Sequence, residues 1–455
     1  MRRLLLAALA LPLPALAQPT AADVAALRDA ALTDTVAWDI TEGLTTEIGP
    51  RLAGTPDEAR AREWAVAKLK ALGFSNVRIE PYRMPVWVRG AETAAIVSPF
   101  PQPLAITALG NSGATPPDGL EAEVVFFPTL DDLKAAPDGS LKGRIAFVSH
   151  AMTATQDGSS YGAFGAVRRA GPGIAAQKGA AAIVIRSIGT DHHRNPHTGS
   201  TVFPTGIKPI PAGALSVPDA EQLERALKRG KPVRLKLVLT PRQIGERESG
   251  NVVAEVPGSD PSAGIVLIGG HLDSWDLGTG AIDDAAGLGI TTAAAKRIMA
   301  AGTPRRTIRV VWFGAEEVGG VGGRAYARAH AGERHAIAAE SDFGADRVWQ
   351  FDVGLPPEAA PIATRLAAAL APLGIARGSK FAGDGTDIGP TLAQGVAGID
   401  LTQSGLRYFD LHHTPDDTLD KVDPGQLRQN VAAWTAMLAV VANAPEPIGP
   451  VTRPR

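Results

Sequence analysis

Residues 265–287 constrain this chain more than any other stretch. An apolar run, Ile265-Val266-Leu267-Ile268, reads as a buried strand, and it ends in Gly269-Gly270-His271-Leu272-Asp273. A Gly-rich loop follows, then Asp283-Asp284 directly before an Ala-rich segment with helical patterning. Open α/β sheets place their chemistry at the carboxyl ends of buried strands. A histidine and an acidic pair at that place also make up the imidazole–carboxylate donor mix that suits zinc.

Three further clusters repeat this placement. Glu316-Glu317 follows the apolar run Val310–Phe313, Glu340-Ser341-Asp342 follows Ala336–Ala339, and His412-His413 precedes Thr414-Pro415-Asp416-Asp417-Thr418. Each has an ordinary explanation when taken alone. The acidic pairs suit helix N-termini, His271 and Asp273 suit a surface turn, and a histidine pair suits a structural role. Together they put several histidines and carboxylates at the strand ends of one sheet, an inventory fitted to two zinc ions sharing a carboxylate and a water. Asp273 is placed to fix the tautomer of His271. One glutamate of the 316–317 pair is expected to bind metal while the other stays free as general base. Positions 340 and 342 share a strand face, so one or both acids can point into the site.

At 455 residues the chain is long for one domain. Asp57–Leu72 has helical spacing, and Val77, Ile79 and Tyr82 alternate as in a strand. From 112 to 242 the texture changes to short β-like runs (122–127, 145–148, 182–185, 233–237), two helical stretches near 163–178 and 219–228, and Gly/Pro-rich loops. From 250 strands and helices alternate again, and Asp423-Pro424-Gly425-Gln426 marks the start of a last helix. The expected fold is α/β: a mostly parallel mixed sheet with helices on both faces, formed by residues 22–111 and 243–445, with 112–242 as a β-rich module inserted into it.

A formal net charge of -2 without a long Lys/Arg run argues against nucleic acid or an anionic membrane as partner. Residues 1–17 combine Arg2-Arg3, the apolar run Leu4–Leu11 and Ala15-Leu16-Ala17, the pattern of a cleaved signal peptide. The protein is therefore expected to be periplasmic or secreted, with no membrane anchor. The chain has no cysteine, so disulfides, thiolate ligands and a lipidated cysteine are excluded.

The motif series GGHLDSWDLGTGAIDDAAG, WFGAEEVGGVG, ESDFG and HHTPDDT, with IGPRLAGTPDEARA (48–61) and GDGTDIGPTLAQGVAG (383–398), resembles the co-catalytic di-zinc exopeptidases. That family includes the bacterial leucyl aminopeptidases and the carboxypeptidase Q type. The resemblance implies two zinc ions per chain: His271, Asp283 and Asp342 on one, Asp283, Glu317 and His413 on the other, with Asp283 bridging. His413 is preferred over His412 for its spacing to Asp417-Thr418. Glu316 is then the general base, Asp273 lies behind His271, and the Asp283–Asp284 peptide is cis. KGRIAFV, AAQKGAAAIVI and IPAGALSV make residues 112–242 similar to a protease-associated domain. The simpler aminopeptidases stabilise the tetrahedral intermediate with a tyrosine that no motif places here; Tyr408 is the candidate.

The function so implied is hydrolysis of short peptides with a free N-terminus, dipeptides foremost. Asp342 and Glu340 would supply negative charge for the substrate ammonium. N-acetylation is then expected to abolish most activity and C-terminal amidation to matter less or variably. True carboxypeptidase action, a single-zinc glutaminyl cyclase-like enzyme and a metal-free receptor-like ectodomain are the alternatives, and zinc counts of two, one or none separate the metal states. A homodimer is compatible with the sequence.

Overall fold

A computed structural model describes residues 19–383 and 385–453. The signal-peptide segment, residues 1–17, lies outside the described residues. The described residues build two eight-stranded sheets. The first has the spatial order Ser75–Val88, Arg242–Val256, Ile308–Phe313, Ile265–His271, His335–Glu340, Ala397–Gln403, Val348–Gly354, Ala376–Arg377. Its four middle strands run parallel. Antiparallel pairings flank them on both sides, so the sheet is mixed with a parallel centre.

Alternation along the strands explains why both faces are covered. Val252, Ala254, Val266, Ile268, Val310 and Trp312 share one core with Ala61, Ala65, Ile290 and Trp434 from three helices. Val253, Leu267, Val311 and Phe313 face the other way and pack with Tyr326 and Leu392. A strand buried on both faces reads as a continuous apolar run, and every residue of Ile308–Phe313 is buried. The helix Pro424–Val441 starts as its sequence suggests: Asp423 Oδ1 accepts from Gln426 N at 2.8 Å.

All strands of the second sheet lie between Glu92 and Leu239. Leu120–Phe127, Ile145–Val148, Ala182–Arg186 and Ala212–Leu215 form its parallel centre. The textural change at 112 does not coincide with the start of this sheet. Glu92–Ser98 and Gln102–Leu104 pair antiparallel beside Arg234–Leu239, and Ile106–Ala108 pairs with Ala212–Leu215. Pro99, Pro101 and Pro103 break this stretch into pieces too short to show a pattern. Among the described residues no helix is long and apolar enough to cross a membrane.

Candidate metal centre

The parallel centre of the first sheet brings the acidic and histidine clusters to one edge. His271 ends its strand, Glu316-Glu317 follows the neighbouring strand after Gly314-Ala315, and Glu340 ends the strand on the other side. Asp283 and Asp284 stand just before the helix Ala286–Ala301, and the peptide between them is cis. His412 and His413 follow the short helix Tyr408–Leu411, with His413 in the left-handed region at φ 62.

The side chains converge on Asp283. Its Oδ1 lies 2.9 Å from His271 Nε2 and its Oδ2 3.3 Å from His413 Nε2. His271 Nε2 also stands 3.3 Å from Asp342 Oδ1, and His413 Nε2 stands 2.9 Å from Glu317 Oε2. His412 Nε2 is farther from Asp283 Oδ2, at 3.7 Å, with its ring stacked on that of His413. Asp283 Oδ2, Glu317 Oε1 and Asp342 Oδ1 are buried without a hydrogen-bond partner. Asp283 Oδ2 and Asp342 Oδ1 each stand 3.3 Å from an imidazole nitrogen but out of hydrogen-bonding alignment, which fits a cation between them. Three overlapping groups have ligand atoms within 4.8 Å of one another: His271 with Asp283 and Glu317, His271 with Asp284 and Asp342, and Asp283 with His412 and His413.

The electrostatics agree. Burial, then the charge of Asp283, pushes the Glu317 carboxyl well above its ordinary range. Burial raises Asp342 well above its range too, against the opposing pull of His271. Burial also acts upward on Asp283, but the hydrogen bond with His271 and the close His413 imidazole outweigh it and hold that carboxyl well below the usual value. These acids are crowded in a way that positive charge relieves.

The supports differ in part from expectation. His271 Nδ1 meets the backbone carbonyl of Asp273 at 2.8 Å, whereas the Asp273 carboxylate is 3.9 Å away. That carboxylate accepts instead from Glu316 N at 3.0 Å, so Asp273 positions both the histidine and the glutamate loop. Asp284 accepts from His271 N and Gly287 N, each at 3.1 Å. This close approach requires glycine at 270, where a Cβ would stand 2.1 Å from Asp284 Oδ2. Glu340 turns toward the loop after 384 and accepts from Ile388 N at 3.1 Å; burial first, then the nearby Glu316 charge, lifts it to about 7.

Arg51 lies beneath the loop between His271 and Asp283. It is 0% exposed and donates to four carbonyls, Leu272 at 2.5 Å, Thr279 at 2.6 Å, Gly280 at 2.9 Å and Gly49 at 3.3 Å. Arg51→Met leaves Gly280 O with Ala285 N as its donor but takes the donor from the Leu272, Thr279 and Gly49 carbonyls, at roughly 1–3 kcal/mol for an orphaned buried group. We expect a loss of about 3 kcal/mol or more in urea unfolding at saturating zinc; a change under about 1 kcal/mol would show that the loop holds its shape unaided.

Beside the carboxylates lies a cavity of about 420 Å³. Asp283, Glu316, Glu317, Asp342, Tyr408 and His413 line it from the first sheet's side, and Tyr161, Arg168, Arg169 and Ser200 from the second. The second unit also grips the histidine loop: Thr198 N donates to His413 O at 3.0 Å, and His197 Nδ1 meets His412 O at 2.7 Å. Sequence reasoning did not find Arg168, Tyr161, Thr198 or the fully buried Asp387, whose two carboxylate oxygens have no hydrogen-bond partner. Asp387 could have been suspected, as an acid inside the GDGTDIGP segment.

Comparison with known proteins agrees with this geometry. Residues 251–438 match the model of peptidase family M28. Carboxypeptidase Q of Bos taurus is 36% identical over 407 residues, 89% of this chain and 84% of that protein. The Homo sapiens protein of the same name is 34% identical over 406 residues, again 89% and 84%. A peptidase M28 precursor from Shewanella amazonensis SB2B superposes with a TM-score of 0.92 at 48% identity, over 95% of this chain and 99% of that one. A zinc aminopeptidase from Bacillus subtilis shares the fold at a TM-score of 0.64 and 19% identity, over 91% and 97%. With its strand-end donor set and relatives that align over most of its length, the chain belongs to peptidase family M28.

Proposed function

We propose that the protein is a two-zinc exopeptidase that releases residues from short peptides with a free N-terminus. The observation that carries this reading is Asp283, whose two oxygens face two different histidines, 2.9 Å from His271 and 3.3 Å from His413. In this reading His271, Asp283 and Asp342 hold one zinc, and Asp283, Glu317 and His413 the other. The imidazole and carboxylate donors suit zinc, and their unpaired buried oxygens support the fit. Bound there, the ions supply Lewis-acid polarisation of the scissile carbonyl and water of lowered pKa.

The chain's own groups do the rest. Glu316 takes the proton of the attacking water and returns it to the departing amine. Tyr408 lines the cavity and donates to the developing oxyanion. Asp342 places negative charge where the substrate ammonium docks. The second unit, read as an inserted protease-associated domain, walls the cavity and favours short substrates. The signal-like residues 1–17 support work outside the cytoplasm.

The test compares free and N-acetylated dipeptides with zinc-loaded enzyme. N-acetylation is expected to lower kcat/KM by about 10²-fold or more, as when a site built for a polar group loses it. Equal rates would overturn the free-amine reading and favour true carboxypeptidase action. Metal analysis gives a second readout: one zinc per chain supports a cyclase-like site, and none a receptor-like one.

A further inference from the structure

Arg168 is a buried cation to which the reaction above gives no task. It sits on the helix Ser159–Gln177 of the second unit and is 5% exposed. Its Nη2 donates to Tyr161 Oη, and its Nη1 lies 3.4 Å from Thr198 O and 3.2 Å from His413 Nδ1. Among the described residues its Nε has no hydrogen-bond partner. With His413 Nε2 turned to Asp283 and Glu317, the His413 Nδ1–H faces Thr198 O at 3.3 Å and offers Arg168 no acceptor. Among the described residues no carboxylate pairs with Arg168 or with Arg169.

A guanidinium buried without a counter-ion is costly. The fold nonetheless makes room for it. At Gly199, φ is +135, and a Cβ there would stand 2.4 Å from Arg168 Cζ. Arg168 and Arg169 flank the Tyr161 ring at 5.4 and 5.8 Å from its centroid. Both line the cavity whose other side carries Asp283, Glu316, Glu317 and Asp342. The cavity thus has an acidic floor and a basic wall.

We infer that Arg168 binds the free α-carboxylate of the substrate and so selects dipeptides. The inference rests on the exopeptidase reading above. His413 spans the gap: its Nε2 meets Glu317 and its Nδ1 meets Arg168, so one imidazole separates the guanidinium from the floor. An extended residue advances the chain by about 3.5 Å. A peptide bond held over the floor therefore brings the carboxylate of the next residue to Arg168, where a guanidinium edge can pair with it through two N–H groups. Longer peptides would carry their carboxylate past this point. Amidation, which the resemblance alone leaves to matter less or variably, then matters strongly.

The test uses the full, zinc-loaded enzyme with Ala-Leu, Ala-Leu-amide, Ala-Glu-amide and N-acetyl-Ala-Leu, and reads the ratio of kcat/KM for Ala-Leu over its amide. For the wild type the ratio should be on the order of 10–100, carried mainly by KM, as for loss of a charged hydrogen bond. In R168Q it should approach one, with R168K between them. A structural role acting only through His413 would lower both rates together; an R168Q ratio equal to the wild type's overturns the proposal. G199A, which pushes the guanidinium aside without removing it, should lower the ratio in the same direction and gives a second route should R168Q fold poorly. Ala-Glu-amide cleaved as well as Ala-Leu in an Arg168-dependent way would overturn the α-carboxylate in favour of an acidic side chain. Fast cleavage of N-acetyl-Ala-Leu would instead sink the free-amine reading, while the acid-to-amide ratio still decides Arg168.

Discussion

Glu316→Gln is expected to retain both zinc ions and the fold while losing turnover on the order of 10²–10⁴-fold, the scale of a lost general base. The two glutamates after the strand Ile308–Phe313 face different partners. Glu317 Oε2 is 2.9 Å from His413 Nε2, whereas Glu316 is half-buried and lines the cavity together with Thr386. Ala315 takes the left-handed conformation at φ 58, and Glu316 N is tied to Asp273 Oδ1, which turns the pair in this way. Burial is the largest influence on the Glu316 carboxyl and raises its pKa, moving it toward the range useful to a base at neutral pH. Glutamine keeps the size but accepts no proton. Metal analysis with steady-state kinetics decides the matter; near-normal turnover in this variant would remove Glu316 from the mechanism. Glu317→Gln should behave differently and lose zinc.

The acids and histidines at the strand ends were legible because a parallel, doubly covered strand leaves a continuous apolar run with polar residues within a few positions of its end. Ile265–Ile268, Val310–Phe313 and Ala336–Ala339 all show this, and His271, Glu317 and Asp342 follow them. The strands Val348–Gly354 and Ala397–Gln403 were not identified, because their burial is interrupted and Asp352 and Asp400 interrupt their apolar pattern. Arg51 and Arg168 escaped for another reason. Their partners are 221 residues away at Leu272 and 245 away at His413, and no local spacing encodes such a contact. Asp273 shows a limit of motif reasoning: the residue stands beside His271, but its carbonyl rather than its carboxylate holds the ring. Main-chain acceptors carry no side-chain signature.

Asp283→Asn should deplete both metal positions together and lower kcat by about 10³-fold or more, since several kcal/mol of charge stabilisation is lost at roughly 1.4 kcal/mol per tenfold. Among the described residues no other side chain at the centre has one oxygen toward each histidine, at 2.9 and 3.3 Å. Asp342 makes its close approach to His271, at 3.3 Å, and Glu317 to His413, at 2.9 Å, so Asp342→Asn and Glu317→Gln should each cost one zinc and spare much of the other. Metal content therefore separates a shared carboxylate from two independent sites. Stability gives an independent readout. A ligand that binds only the native state at about 1,000 times its dissociation constant stabilises it by roughly 4 kcal/mol. Zinc should raise the Tm of the wild type strongly, that of Asp342→Asn partly, and that of Asp283→Asn little. The amide that Asp283→Asn introduces could keep one neutral oxygen toward either histidine, but it cannot supply the anionic charge that two cations would share in the proposed site. Retention of two zinc ions by Asp283→Asn would show that the histidines and outer carboxylates suffice, and the bridge would have to be assigned elsewhere.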